Sequence, residues 1–219
     1  MRRLVIVCEG PTEQEFCNNV LAPELLKKQI YVETPTVKHS KGGIVPWHTL
    51  KAQLMNHLHE GDAYVTMLVD YYGIKEHFEF PGWQEAMAVN DKVERMYILF
   101  TRMQEDIPED MRTRFVPYIQ LHEFEGLLFS NMEAFYRNFS DEEMDFQVLE
   151  DAVAKFENPE LINDSPQTAP SKRLEKSIVG YSKVLYGNCL AMDIGLNTIR
   201  EKCPLFNEWV EKLMSLTNS

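Results

Sequence analysis

The sequence predicts an α/β fold with a mostly parallel sheet flanked by helices and a helical extension at its C-terminal end. Residues 4–8 and 64–69 are continuous apolar runs, which are typical of strands buried on both faces. Residues 47–60 carry apolar side chains at helical spacing. Strands and helices that alternate in this way predict a layered parallel sheet.

The other elements of the N-terminal half follow from the same patterns. A helix begins near Pro11, where proline suits the first helical position, and a second turn of helix begins near Pro23. We further predict a strand at 31–38, one long helix at 83–106 and a strand at 115–121.

The character of the chain changes after about residue 130, where no comparably strong strand occurs. We therefore predict two parts, an α/β core at 1–130 and a helical extension at 131–219 that packs on it as one compact unit. The helices predicted in the extension are 131–138, 145–156, 171–186, 189–202 and 204–216.

Composition narrows the class of protein. The chain has 219 residues, 44% of them hydrophobic, and no apolar run as long as a membrane span, so we expect a globular protein without membrane association. The four cysteines form no C-x-x-C pair, and we interpret them as reduced residues of a cytoplasmic protein. The net charge of −12 argues against a protein that coats nucleic acid, but permits an enzyme that holds phosphates through a metal and a local basic patch.

Carboxylates follow three of the predicted strands: Glu9, Asp70, and the pair Glu123 and Glu125. In a parallel sheet these strand ends share one edge, where ligands bind. Acids gathered there repel one another unless a cation neutralises them. Mg²⁺ or Mn²⁺, which prefer oxygen ligands, would do so and could activate water for phosphoryl chemistry.

Each of these residues also has a structural interpretation. Glu13 could simply favour the start of a helix, and Asp70 could cap the next turn. Glu123 and Glu125 could lie on a solvated helix start, and one of the two could face away from the site. Lys172 and Arg173, which begin a predicted helix, could hold a phosphate or be solvated; the sequence leaves both readings open.

Several motifs together resemble a known family. They are Glu-Gly-Pro-Thr-Glu at 9–13, Val-Asp-Tyr-Tyr-Gly at 69–73, His-Glu-Phe-Glu-Gly-Leu-Leu-Phe at 122–129 and Ala-Pro-Ser-Lys-Arg at 169–173. The first two resemble the Toprim arrangement of topoisomerases, primases and OLD-type nucleases. The full set is similar to a bacterial Toprim-like family, domain of unknown function 4276.

The resemblance implies a Toprim-like core and a role beside ATPase partners in phage-defence loci. It also implies that Glu9 serves as acid/base or metal ligand and that Asp70 binds Mg²⁺. The chain departs from the Toprim pattern at Tyr72, where a second aspartate would stand, so the number of metal ions is open.

The combined hypothesis is a metal-dependent nuclease acting on nucleic acid, with an ATPase partner and an open oligomeric state. The alternatives are a non-catalytic module that docks to the ATPase, and a phosphatase or nucleotide hydrolase. We expect the catalytic residues to be Glu9, Glu13, Asp70 and Lys172, the metal ligands Glu9, Asp70, Glu123 and Glu125, and the phosphate ligands Lys172 and Arg173.

Overall fold

The computed structural model describes residues 1–38, 40, 43–163 and 165–217. Its described part contains a four-stranded sheet in which every pairing is parallel, in the order β2-β1-β3-β4. The predicted α/β class is therefore confirmed. The strands are β1 (Arg2–Cys8), β2 (Ile30–Glu33), β3 (Tyr64–Leu68) and β4 (Phe115–Val116).

Strand β1 lies at the centre of the sheet and explains the apolar run that opens the sequence. It pairs with β2 on one side, with Leu4 opposite Val32, and with β3 on the other, with Cys8 opposite Leu68. Helices cover both faces of such a strand, so the side chains that point to either face need to be apolar. Residues 4–8 are accordingly fully buried.

Helices account for most of the remaining chain. A π-helical segment, Cys17–Leu21, joins the first two α-helices into one continuous helical stretch. The α-helices are α1 (Pro11–Phe16), α2 (Ala22–Lys27), α3 (Trp47–His59), α4 (Trp83–Met87), α5 (Lys92–Glu105), α6 (Glu109–Arg112), α7 (Met132–Asn138), α8 (Gln147–Lys155), α9 (Pro170–Ser177), α10 (Lys183–Ile194), α11 (Leu196–Lys202) and α12 (Pro204–Met214).

Two predicted elements of the N-terminal half are wrong in extent. The long helix at 83–106 is two helices, because the Asp91 carboxylate accepts hydrogen bonds from the backbone N–H groups of Val93 and Glu94 and so begins α5 anew. The strand at 115–121 ends at Val116, since Pro117 lacks an N–H donor. Pairing with β3 resumes only at an isolated bridge between Asp70 and Gln120.

The strand predicted at 31–38 also ends early, at Glu33, with an isolated bridge from Thr36 to Cys8. In the C-terminal half, the predicted helix 171–186 is interrupted at 178–182, and 189–202 is split at Gly195, whose φ of +79° stops α10.

The helical half packs directly on the sheet. The Trp209 indole of α12 donates a 2.9 Å hydrogen bond to Thr66 Oγ1 of β3 and stacks on Tyr118, with ring centroids 4.5 Å apart. Phe16 of α1 packs edge-on against Phe124 at 5.0 Å. Both halves thus contribute to one buried cluster, while the boundary near residue 130 stays a prediction. Among the described helices, none has the length and apolarity needed to cross a bilayer.

Candidate active site

The strand order fixes the place of the site. The connection after β1 leads to β2 at one edge of the sheet, and the connection after β3 leads to β4 at the other edge. The strand order therefore reverses direction between β1 and β3. A crevice forms at such a switch point, and ligands of parallel sheets bind there. Glu9 follows β1 directly and Asp70 comes two residues after β3, so both acids lie at this switch point.

Glu9 and Asp70 are linked by a hydrogen bond. The Asp70 backbone N–H donates to Glu9 Oε2 at 2.8 Å, and Asp70 Oδ1 in turn accepts from the Phe124 N–H at 2.9 Å. Asp70 is buried and Glu9 is half-buried. The two strand ends therefore lie together, as predicted. The hydrogen bond from the Phe124 N–H also connects Asp70 to the segment that carries Glu123 and Glu125.

Glu13 and Glu123 each accept a hydrogen bond from a backbone N–H group at the start of a helix. Glu13 Oε2 accepts a 2.9 Å hydrogen bond from the Gly10 N–H in the first turn of α1. Glu123 Oε2 accepts from the Ser171 N–H at 2.9 Å, at the first turn of α9. Both side chains are buried. One oxygen of Glu13 thus caps the start of α1, as its structural interpretation expects.

Glu125 is the most deeply buried of these acids and pairs with Lys183, which is not among the site residues predicted from the sequence. Its Oε1 lies 2.7 Å from Lys183 Nζ, at the first residue of α10. Its side chain is 1% exposed, whereas that of Lys183 is 43% exposed. In the described part of the chain, Glu125 Oε2 has no hydrogen-bond partner.

We call these five residues, Glu9, Glu13, Asp70, Glu123 and Glu125, the acidic cluster. Burial raises the pKa of four of their carboxyl groups, and repulsion between neighbours adds to it. At Asp70, burial and the charges of Glu9, Glu13 and Glu125 all raise the pKa. Ionisation of the whole cluster therefore requires positive charge nearby.

Lys183 supplies part of that charge. Burial works against its ammonium group, but attraction to Glu125 and Asp70 outweighs burial and raises its pKa above the ordinary value. The same ammonium group lowers the pKa values of Glu9, Glu13, Asp70 and Glu125. It therefore acts on the whole cluster, not on one partner.

The donor chemistry of the cluster fits a hard divalent cation. Carboxylate oxygens are the ligands that Mg²⁺ and Mn²⁺ prefer, and Glu125 Oε2 is a buried oxygen without a partner among the described residues. As the side chains stand, however, no three His, Cys, Asp or Glu residues in the described ranges form a group that could hold a metal ion. Loading a metal would therefore require side-chain movement.

Lys172 and Arg173 lie beside the cluster at the start of α9. Lys172 is 54% exposed and pairs with Glu175 on its own helix, although Glu123 also acts on it electrostatically. Arg173 donates a 2.9 Å hydrogen bond to the backbone carbonyl of Thr168. Their role as phosphate ligands stays a prediction, because the structure pairs both of them elsewhere.

His122 adjoins the cluster in a strained position, with φ at +66°. Its Nε2 lies 3.1 Å from Lys92 Nζ and its Nδ1 3.3 Å from the Asn163 amide. Burial, with repulsion from Lys92, lowers the pKa of His122 to about 4. The side chain is therefore neutral at physiological pH.

The missed residue, Lys183, had a local signal in the sequence. Gly180 and Ser182 are residues that end and begin helices, and they interrupt the predicted helix 171–186 just before Lys183. The pairing of Lys183 with Glu125 spans 58 positions of sequence (183 − 125) and could not be read from either segment alone.

Fold and site together define an α/β protein with a buried acidic cluster at the switch point of a parallel sheet. The chain matches the family described as domain of unknown function (DUF4276) over residues 8–214 and belongs to it. The match covers nearly the whole chain and confirms the resemblance to that family. Searches among curated proteins and among solved structures returned no significant match.

Proposed function

We propose that this protein is a metal-dependent phosphodiesterase of Toprim type that acts on nucleic acid, as a cytoplasmic component of a bacterial phage-defence system with an ATPase partner. The observation that carries the catalytic part is the acidic cluster at the switch point. Acids buried this way destabilise a fold, so their concentration in a crevice favours a functional role.

The predicted site residues would take three roles: metal ligand, proton acceptor and phosphate ligand. Glu9 and Asp70, with Glu123 or Glu125, would hold Mg²⁺ or Mn²⁺, which would supply Lewis-acid stabilisation of a phosphoryl oxygen and a more acidic bound water. Glu13 is buried, and burial together with the charge of Glu9 raises its pKa, which makes its carboxylate a stronger base than an exposed glutamate and suits a residue that accepts a proton. Lys172 and Arg173, at the start of α9, would attract the substrate phosphate.

A cleavage assay tests this assignment. Wild-type protein is incubated with Mn²⁺ and single- or double-stranded DNA and RNA, beside Glu9→Gln, Asp70→Asn and the exposed control Glu142→Gln. Glu9→Gln and Asp70→Asn should lose at least about 100-fold in rate, the size expected for a catalytic acid or base, whereas Glu142→Gln should keep it. Equal rates in all four proteins would refute the catalytic assignment.

A second candidate is a non-catalytic module that docks to the ATPase. Two observations favour it: Tyr72 stands where a second aspartate would, and Lys183 already neutralises part of the cluster. Isothermal titration with Mg²⁺ and Mn²⁺ separates the two functions, because metal binding that is lost in Asp70→Asn contradicts a degenerate site. A small phosphate ester assayed beside the nucleic acids would identify a phosphatase or nucleotide hydrolase instead.

A further inference from the structure

Lys183 breaks a local rule of helix formation. It is the first residue of α10, where the helix dipole presents partial positive charge and disfavours a cation. Local rules of this kind are usually broken at functional sites, where another interaction compensates. Here the compensation is the 2.7 Å ion pair with Glu125, the acid that is 1% exposed.

The ion pair with Lys183 leaves one oxygen of Glu125 without a hydrogen-bond partner among the described residues. Glu125 Oε1 has the ammonium group, but Oε2 has no hydrogen-bond partner in the part of the chain that the structure describes. Glu125 lies close enough to Glu9 and Asp70 to repel both electrostatically. Lys183 is thus the cation in direct contact with Glu125, and a buried oxygen of that acid still lacks a hydrogen-bond partner among the described residues.

We propose that Lys183 is the resident counterion of the acidic cluster, and that a divalent cation must displace its ammonium group from Glu125 in order to bind. This inference rests on the proposed function and adds to it a residue that sets metal affinity. The Lys183 side chain is 43% exposed, so the ammonium group can turn toward solvent without unfolding α10.

Isothermal titration with Mn²⁺ at pH 8 tests the competition directly. Lys183→Met removes the competing charge while it keeps an unbranched side chain. The matched control is Lys27→Met, since Lys27 is 68% exposed and pairs with Glu24 on the surface of α2. Both variants remove one positive charge from the net −12, so only the position differs.

Lys183→Met should bind Mn²⁺ at least about tenfold more tightly than wild type, because an opposite charge at contact distance typically shifts such an equilibrium by one to three decades. Lys27→Met should match wild type. If Lys183→Met binds no more tightly while wild type binds Mn²⁺, this inference fails and the proposed function stands. If neither protein binds Mn²⁺, both fail.

A measurement on the wild-type protein keeps the inference testable if Lys183→Met does not fold. Lysine acetylation is followed by mass spectrometry with and without Mn²⁺. Displacement of the ion pair should raise acetylation of Lys183 at least about threefold, since the reactive, unpaired form becomes the populated one, and should leave Lys27 unchanged. Unchanged labelling of Lys183 at saturating Mn²⁺ would overturn the inference.

Discussion

Glu160 offers a test of the electrostatics of this fold away from the acidic cluster. Its side chain is 1% exposed and caps α12 from a distant part of the chain: Oε2 accepts from the Leu205 N–H and Oε1 from the Phe206 N–H, both at 2.9 Å. Burial opposes the ionised form and the two N–H donors favour it. Burial prevails and raises the pKa of Glu160 from 4.5 to about 7.

The sign of the pH dependence follows from linkage. Between pH 4.5 and 7 the folded protein holds a proton on Glu160 that the unfolded chain has released, so the contribution of Glu160 to stability falls as the pH rises through this range. The shift of about 2.5 pKa units (7 − 4.5) corresponds to about 3 kcal/mol. Glu160→Gln is neutral at every pH and therefore lacks this loss, while its amide nitrogen cannot accept one of the two N–H bonds, a cost that does not vary with pH.

The assay is urea unfolding, followed by tryptophan fluorescence, at pH 5 and pH 8. The free energy of unfolding of Glu160→Gln relative to wild type should rise by about 2–3 kcal/mol between these pH values. The exposed control Glu142→Gln should show no such trend. A flat difference for Glu160→Gln would refute the reasoning, because it would mean that the α12 N–H groups hold the pKa of Glu160 near its ordinary value despite burial.

Two further predictions concern packing around the sheet and the loop before α4. Thr66→Val leaves the buried Trp209 indole N–H without its acceptor and should cost about 1–3 kcal/mol in urea unfolding, and a cost near zero would contradict this role for the hydroxyl. Gly82→Ala should cost more than Gly61→Ala. Both glycines have positive φ, but a Cβ at Gly82 would lie 2.6 Å from Arg102 Cγ, whereas nothing lies within 4 Å of one at Gly61. The excess should be about 1–3 kcal/mol on the overpacking scale, and equal losses would show that Arg102 gives way freely.

The fold could be predicted where a local pattern and a tertiary environment agree. Residues 4–8 of β1 are apolar because helices cover both faces of a central strand, so this pattern identified both the strand and its class. Helix periodicity, by contrast, does not show where one helix stops and another begins. The break before α5 depends on the Asp91 side chain, a capping signal present in the sequence but weaker than the apolar spacing on either side.

The candidate site was predictable to the extent that it depends on strand ends. Glu9 and Asp70 follow apolar runs that form neighbouring parallel strands, whose C-terminal ends lie at the same edge of the sheet, and the Asp70 N–H donates a 2.8 Å hydrogen bond to Glu9 there. Lys183 was not predictable by that argument, because it approaches from a helix in the other half of the chain. No periodicity specifies which loop of a helical extension reaches the crevice.

The distribution of charge changes how the net charge of −12 bears on nucleic-acid binding. The acidic cluster with Lys183 holds five negative charges and one positive charge, a balance of −4 that is largely withdrawn from the surface. Burial and mutual repulsion raise the pKa values of four of these acids, which opposes their ionisation. A bound dication would neutralise more of it. A phosphate that approaches the site would meet this charge at close range, so the proposed function requires the dication, and the net charge of −12 counts against nucleic-acid binding mainly in its absence.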